Sequence, residues 1–347
     1  MTYTLGLGEC TAELAERVGG KAVGLGHLIR QALEVPAGFV VTTDAYRDWL
    51  AAHRLDAELE RLVATDGEAA SHRVAALFES APPAEELVAA VSAAYAELGG
   101  DPLVAVRSSA TAEDLADASF AGQQETYLGV AGVEPVVRHV IRCWASLFTP
   151  QAISYRRRLG IPTARVAMAV LVQRMVAAEV SGVMLTLDPV TGDRSQITIE
   201  SALGLGLPLV GGELTPDRFA VDKVTMEIRS RTITAQTFAD RLDAAGGVRR
   251  DELPEAEAAE PSLTDAEVVR LAEVGKRTER ALGGPVDMEW SIGPGPDGPR
   301  HLHLLQARPE TVWSGRRAAP VARPATTAMD RMVALMIGKG TSRSQSS

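Results

Sequence analysis

Three short groups of residues that suit a polyphosphate stand far apart along this chain. They are Val-Gly-Gly-Lys-Ala at 18–22, Val-Arg-Ser-Ser-Ala at 106–110, and Asp287-Met-Glu289 followed by Gln306-Ala-Arg308. If they act together, the fold must bring a segment near the start, a strand a third of the way along and the last strands to one place. Glycine amides, lysine and arginine neutralise phosphates, while carboxylate and amide oxygens hold a hard divalent cation. The combination implies a site for a nucleoside triphosphate with Mg²⁺ or Mn²⁺.

Each group also has a structural reading. Gly19-Gly20-Lys21 precedes a helix-like run and could cradle phosphate, but GxxxxGK[ST] is absent, and alone such a group is a turn with a solvated lysine. Arg107 ends an apolar run, where a buried cation must find an anion: a ligand phosphate, or a structural partner such as Glu113 or Asp114. The loop Ser119-Phe-Ala-Gly122-Gln123-Gln124 can close over phosphates with its N–H groups or be a surface turn. Val172-Gln173-Arg174-Met175-Val176 joins two β-type segments and could lie against an adenine ring, or be core with a methionine filling a gap. Side chains on a strand repeat direction every two residues, so Asp287 and Glu289 share a face, as do Gln306 and Arg308. Four such residues on one hairpin favour a site over a structural ion-pair network.

The remainder sets the frame. Residues 20–33 are helix-like, Val35–Val41 turn into a strand, and 44–98 are alanine-rich and mainly helical, with breaks near Asp66-Gly67 and Pro82-Pro83. Leu103–Arg107 and Glu125–Val130 read as strands, 111–124 as a loop, and Val133–Leu159 as two helices split at Thr149-Pro150. After Pro162 strands dominate: 165–172, 182–187, 196–200, 218–222 and 225–231, then a helix at Thr264–Leu282 capped by Thr264, and a hairpin at 286–292 and 301–307. Residues 240–261 are acidic and read as an exposed excursion. No internal repeat is found. A net charge of −10 argues against nucleic-acid and membrane-surface partners. Two cysteines give no disulfide framework, and none of the six histidines has clear ligand spacing. Without a signal peptide or a long apolar run, the chain reads as cytoplasmic.

In order, the chain carries GGKAVGLGHLI (19–29), VPAGFVVT (35–42), VAVRSSATAEDLADASFAGQQETYLGV (104–130), VQRMV (172–176), SGVMLTLDPVTGD (181–193), GLGLPLVGGELTPDRFAVDK (204–223) and DMEW…LLQARPETVW (287–313). This sequence resembles the nucleotide-binding domain of the phosphoenolpyruvate synthase and pyruvate phosphate dikinase family, which includes rifampin phosphotransferases, over residues 10–313. The resemblance implies an α+β, ATP-grasp-like fold of two lobes clasping ATP and Mg²⁺ (or Mn²⁺). A helix-rich part would span about 1–160 and a strand-rich part about 161–313, followed by a flexible tail at 314–347. It places the family's phosphate-binding lysine and arginine on Lys21 and Arg107, and its metal-associated acid on Glu289. The glutamine and arginine of its QxRP motif fall on Gln306 and Arg308, with Gln306 also near the metal and Asp287 as a neighbouring acid. The phosphate-covering loop falls on Phe120–Gln123, thus Gly122 and Gln123, and the adenine-side hinge on Gln173, Met175 and Val176. Catalytic roles fall on Lys21, Arg107 and Arg308.

Two departures stand out. The glycine-rich segment that usually reads GLGE has Leu207 after Gly206, with an acid only at Glu213, and the turn before Gln306 is extended. Family enzymes also continue into a swivelling domain whose histidine, in a TSHAA-like motif, carries phosphate onward; no such motif occurs here. The expected function is an ATP-dependent phosphotransferase subunit that phosphorylates a histidine on a separate partner protein, which passes the group to a small molecule. The alternatives are a self-contained small-molecule kinase or ligase and a non-catalytic nucleotide-binding module.

Overall fold

The computed structural model describes residues 2–65, 67–110, 125–163, 166–294 and 300–313. Among these, helices and antiparallel sheets combine in an α+β fold, as expected. Residues 1–311 form one compact unit. The first sheet takes strands in the order β1 (Thr4–Gly6), β2 (Gly38–Val41), β5 (Met168–Arg174), β3 (Val104–Ala110) and β4 (Thr126–Val130). The second runs β13 (Arg300–Pro309), β12 (Val286–Pro294), β6 (Val180–Leu185), β7 (Gln196–Leu203), β8 (Asp217–Asp222) and β9 (Ile228–Thr232). Every pairing within the two sheets is antiparallel.

Strand β5 shows how the layers are built. Met168 through Gln173 are all buried, because each face of this strand is covered. Met168, Val170 and Val172 enter a cluster with the helices α2 (Thr43–His53), α3 (Asp56–Val63), α4 (Gly67–Ser80), α5 (Glu85–Glu97) and α6 (Val133–Ala145). Ala169 and Leu171 point the other way, into a cluster shared with α1 (Ala15–Arg30) and the second sheet. In the first cluster Trp49 sits among Trp144 (ring centres 5.6 Å apart) and Phe78 (5.0 Å), which concentrates a sparse aromatic content at one place. In the second, Val18, Ala22, Leu25 and Leu28 of α1 meet Val40 of the first sheet and Leu304 and Ala307 of the second.

Sequence cues fix several ends. Thr149 caps α7 (Pro150–Leu159), its hydroxyl accepting from Ala152 N at 3.3 Å with Pro150 as the first helical residue. Helix α10 (Asp265–Leu282) opens with a capping box: the Thr264 hydroxyl accepts from Glu267 N at 3.3 Å, and Glu267 accepts from Thr264 N at 2.9 Å. It ends at Gly283 with φ 77°. Its buried residues Val268, Leu271, Ala272, Gly275 and Thr278 follow helical spacing. Thr264→Ala is expected to cost about 1 kcal/mol in a denaturant melt, leaving nucleotide binding unchanged; loss of binding would tie this cap to the site.

The acidic stretch at 240–261 is largely exposed, as expected, and carries secondary structure that the sequence reading did not assign. Much of it is ordered as a hairpin of β10 (Phe238–Leu242) and β11 (Val248–Glu252), followed by the short helix α9 (Glu255–Ala258). Its charges are paired across the strands: Arg250 donates to buried Asp240 at 2.7 and 3.1 Å and also reaches Glu213 at 2.9 Å. Asp240 O accepts from Leu205 N at 2.7 Å, which ties the hairpin to the glycine-rich segment before α8 (Leu207–Val210). The acid displaced to Glu213 therefore serves that tie.

Candidate functional site

The site starts with a kink. Gly19 takes φ 76°, ψ 163° inside α1, so the helix restarts there and Lys21 stands in its first turn. A Cβ on Gly19 would overlap Ser109 O and Oγ, so only glycine lets the two segments touch. Ser109 Oγ donates to Val18 O at 3.0 Å, and Lys21 Nζ donates to Ser108 O at 2.7 Å. Lys21 is only 5% exposed. Further along α1, a Cβ on Gly24 would stand 2.5 Å from Ala307 O. The two glycines thus seat α1 between β3 and β13 and draw the three sequence groups together.

Arg107 crosses from the first sheet to the second. Its Nη1 donates to Leu305 O at 3.1 Å, and its Nη2 donates to Gln306 Oε1 at 3.2 Å and, more closely, to Glu289 Oε2. The anion expected for this arginine within the protein is therefore Glu289; Glu113 and Asp114 lie outside the described residues. On the hairpin, Glu289 pairs with Gln306 and Asp287 with Arg308. Arg308 donates to Asp287 Oδ2 through Nε (2.9 Å) and Nη2 (2.7 Å). The alternation predicted for both strands is present, with a bulge between Glu289 and Trp290.

Burial raises the Glu289 pKa, but Arg107 beside it, then Lys21 and Arg308, outweigh burial and hold it below the ordinary glutamate value. Arg107 Nε and Ser108 Oγ are buried without a hydrogen-bond partner among the described residues. Unused donors beside Lys21 suit an incoming anion, because a buried donor left unpaired is costly. Oxygen donors from Glu289 and Gln306 suit Mg²⁺, which takes one or two protein carboxylates and completes its shell with phosphate and water. No group of three or more His, Cys, Asp or Glu able to hold a metal occurs among the described residues, so a cation here would depend on the nucleotide's own oxygens.

The remaining expectations divide. Gly122 and Gln123 lie outside the described residues. Gln173 belongs to β5 rather than to the connection after it; its side chain is buried and donates to Pro36 O at 3.4 Å. Met175 and Val176 lie in the connection, where Met175 N donates to Leu103 O at 2.8 Å and Val176 O accepts from Ala178 N at 2.8 Å. Sequence reasoning passed over Ser108 and Ser109, whose backbone and hydroxyl receive α1, and Leu305 O. The signal for the serines was present: small residues after Arg107 match the glycines before Lys21.

The sequence matches the family described as "Pyruvate phosphate dikinase, AMP/ATP-binding domain" over residues 15–329. Among curated relatives, it is 44% identical over 319 residues to a rifampicin phosphotransferase of Streptomyces sviceus, covering 89% of this chain and 36% of that protein. It is 41% identical over 357 residues to a phosphoenolpyruvate synthase of Aeropyrum pernix, covering 92% and 44%. A phosphoenolpyruvate synthase of Deinococcus radiodurans is 41% identical over 318 residues, with 86% and 40% covered. The kinked glycine–lysine helix, the bridging arginine and the acidic hairpin thus occur in a nucleotide-binding domain, and the chain belongs to the pyruvate phosphate dikinase AMP/ATP-binding domain family. It spans less than half the length of these relatives. No helix among the described residues is long and apolar enough to cross a membrane.

Proposed function

We infer that this chain binds ATP between α1, β3 and the β12–β13 hairpin and transfers a phosphoryl or pyrophosphoryl group from it to a histidine on a separate polypeptide. That histidine would pass the group to a small molecule. The observation that supports this reading most is Arg107, which reaches from β3 to Glu289 and Gln306 beside buried Lys21. One cation of the first sheet, one acid and one amide of the second, and a lysine at a helix start are the donors and acceptors a triphosphate needs.

In this scheme Lys21 and Arg107 hold the phosphates, exchanging their present acceptors for phosphate oxygens. Glu289 and Gln306 would hold Mg²⁺, which when bound supplies charge neutralisation for the phosphates. Arg308 is oriented by Asp287 and stabilises the charge that develops on the transferred group. Met175 and Val176 would lie along the adenine; the Met175 amide is already donated to Leu103 O, so base recognition would fall to other groups there. A histidine carrier outside the matched region is supported by relatives that extend well beyond it.

The test is to incubate the protein with labelled ATP and the polypeptide encoded beside it. Acid-labile label on the partner's histidine, with AMP or ADP formed only when the partner is present, is expected. Turnover by this chain with a small acceptor alone would favour a self-contained kinase or ligase, and ATP binding without turnover under any pairing would favour a regulatory module. Arg308→Ala is expected to slow transfer by about a hundredfold while ATP affinity falls less than tenfold, since its contribution lies in the transition state. An equal loss in binding and transfer, read by calorimetry and single-turnover labelling, would contradict that role.

A further inference from the structure

Among the described residues, the chain passes from the first sheet to the second once, through residues 175–179 between β5 and β6. A noncovalent link stands beside this crossing. The hairpin β10–β11 belongs to neither sheet, and its turn at 243–247 reaches β4, the edge strand of the first. There Gly247 N donates to Gly129 O at 2.8 Å. Strand β4 is bulged at that point, pairing Val130 with Val104 and Tyr127 with Val106, so the Gly129 carbonyl is left for a partner outside the ladder. Gly129 takes φ 68°, and a Cβ on it would stand 2.5 Å from Gly247 O and 2.6 Å from Gly247 N. Gly246 lies beside Leu103, whose carbonyl oxygen accepts from Met175 N of the crossing at 2.8 Å.

The two ends of the hairpin are held unequally. At its root, Leu205 N donates to Asp240 O at 2.7 Å, Gly204 pairs with Asp240, and Arg250 donates to the buried Asp240 carboxylate at 2.7 and 3.1 Å. These groups tie it to the end of β7 in the second sheet. At its tip the turn is closed on itself by Asp243, whose carboxylate accepts from Ala245 N at 2.8 Å, and Ala244 and Ala245 are exposed. Among the described residues, one backbone hydrogen bond joins this tip to the first sheet. Such a bond contributes a factor of about two to ten to an equilibrium. The hairpin therefore moves with the second sheet and parts from the first at Gly129.

We propose that the β10–β11 hairpin is a releasable strap: its tip holds the two sheets at their closed spacing, and nucleotide leaves when the contact between Gly247 and Gly129 opens. This rests on the reading that ATP lies between α1, β3 and the β12–β13 hairpin. A nucleotide so placed leaves as the sheets part. The strap and the crossing restrain parting at the same end of the first sheet, where Val104 pairs with both Val130 and Arg174. None of the hydrogen bonds that hold the strap involves Lys21, Arg107, Glu289, Gln306 or Arg308, so it governs exchange and not the transfer step.

Stopped-flow release of a fluorescent methylanthraniloyl-ATP, bound to the whole chain with Mg²⁺ and chased with excess ATP, tests this. Gly129→Ala pushes the tip away with its Cβ, and Gly247→Pro removes the donor from the other side; each should speed release by about fivefold. Gly283→Ala is the control for strain at positive φ, because φ is 77° there and nothing lies within 4 Å of the added carbon. It should leave release within about twofold of wild type. Amide exchange of residues 175–179 without nucleotide, read by mass spectrometry, should quicken in the two strap variants alone. Unchanged release in either strap variant that folds, or equal quickening by Gly283→Ala, would overturn the proposal. An analogue that does not bind the wild-type protein would instead overturn the nucleotide reading. Exchange at 175–179 then decides the strap by itself, and equal exchange in all four proteins would count against it.

Discussion

Replacing Arg107 by alanine is expected to lower ATP-dependent transfer by about a thousandfold or more, and to weaken the fold at the same time. This side chain is 12% exposed and donates to three acceptors on the last hairpin, Leu305 O, Gln306 Oε1 and Glu289 Oε2. Without it Glu289, 28% exposed, keeps its desolvation and loses its nearest cation. Removing one partner of a largely buried pair costs about 3 kcal/mol. The sign with pH follows from the direction of the Glu289 shift. Its folded pKa lies below the ordinary glutamate value, so the stabilisation is complete above that ordinary value and fades as pH falls through the folded one. Urea melts from neutral pH down through the carboxylate range should therefore show an acid-labile part in the wild type that is missing in Arg107→Ala. Arg107→Lys keeps the charge but not the fork, so it should recover part of the stability and little of the transfer. Wild-type turnover in Arg107→Ala, or strict additivity of Arg107→Ala with Glu289→Gln, would mean that the bridge has no role.

Gly19→Val should be nearly as damaging, for a different reason. The residue adopts φ 76°, which a β-branched side chain avoids, and its Cβ would fall on Ser109. Backbone strain and overpacking each cost about 1 to 3 kcal/mol, and here they add. Relief requires α1 to move away from β3, which breaks the bonds from Ser109 to Val18 and from Lys21 to Ser108. A large drop in the melting midpoint and loss of nucleotide binding are expected together. Gly283→Ala is the control: φ is 77° there too, but nothing lies within 4 Å of the added carbon. It should cost only about 1 kcal/mol and spare binding. Similar losses in the two variants would show that φ alone, and not the approach to Ser109, governs Gly19.

The two positions also show what was legible from sequence. Period-two alternation placed Asp287 with Glu289 and Gln306 with Arg308, and the hairpin joins them in that register. Capping chemistry located α10 and α7 because Thr264 and Thr149 act within a few residues of themselves. The partner of Arg107 was out of reach, since Glu289 is distant in sequence and local reasoning offers only near acids. The β10–β11 hairpin was missed because its strands carry paired charges, Arg250 with Asp240 and Arg241 with Asp251, that read as a solvated run until they are set opposite each other. The strand was read as ending at Val172, whereas Gln173 continues the β5 ladder with its side chain buried and donating to Pro36 O.

Helix α1 has a consequence for how the chain is made. Its apolar side meets Val40 early in the sequence and Leu304 and Ala307 at its far end. Synthesis proceeds from the N-terminus, and contacts between distant residues form late. The helical cluster through Val172 can assemble as it emerges from the ribosome. Helix α1 must wait for β13 to leave the exit tunnel, so on the nascent chain the packing of this glycine–lysine helix is finished only when β13 arrives.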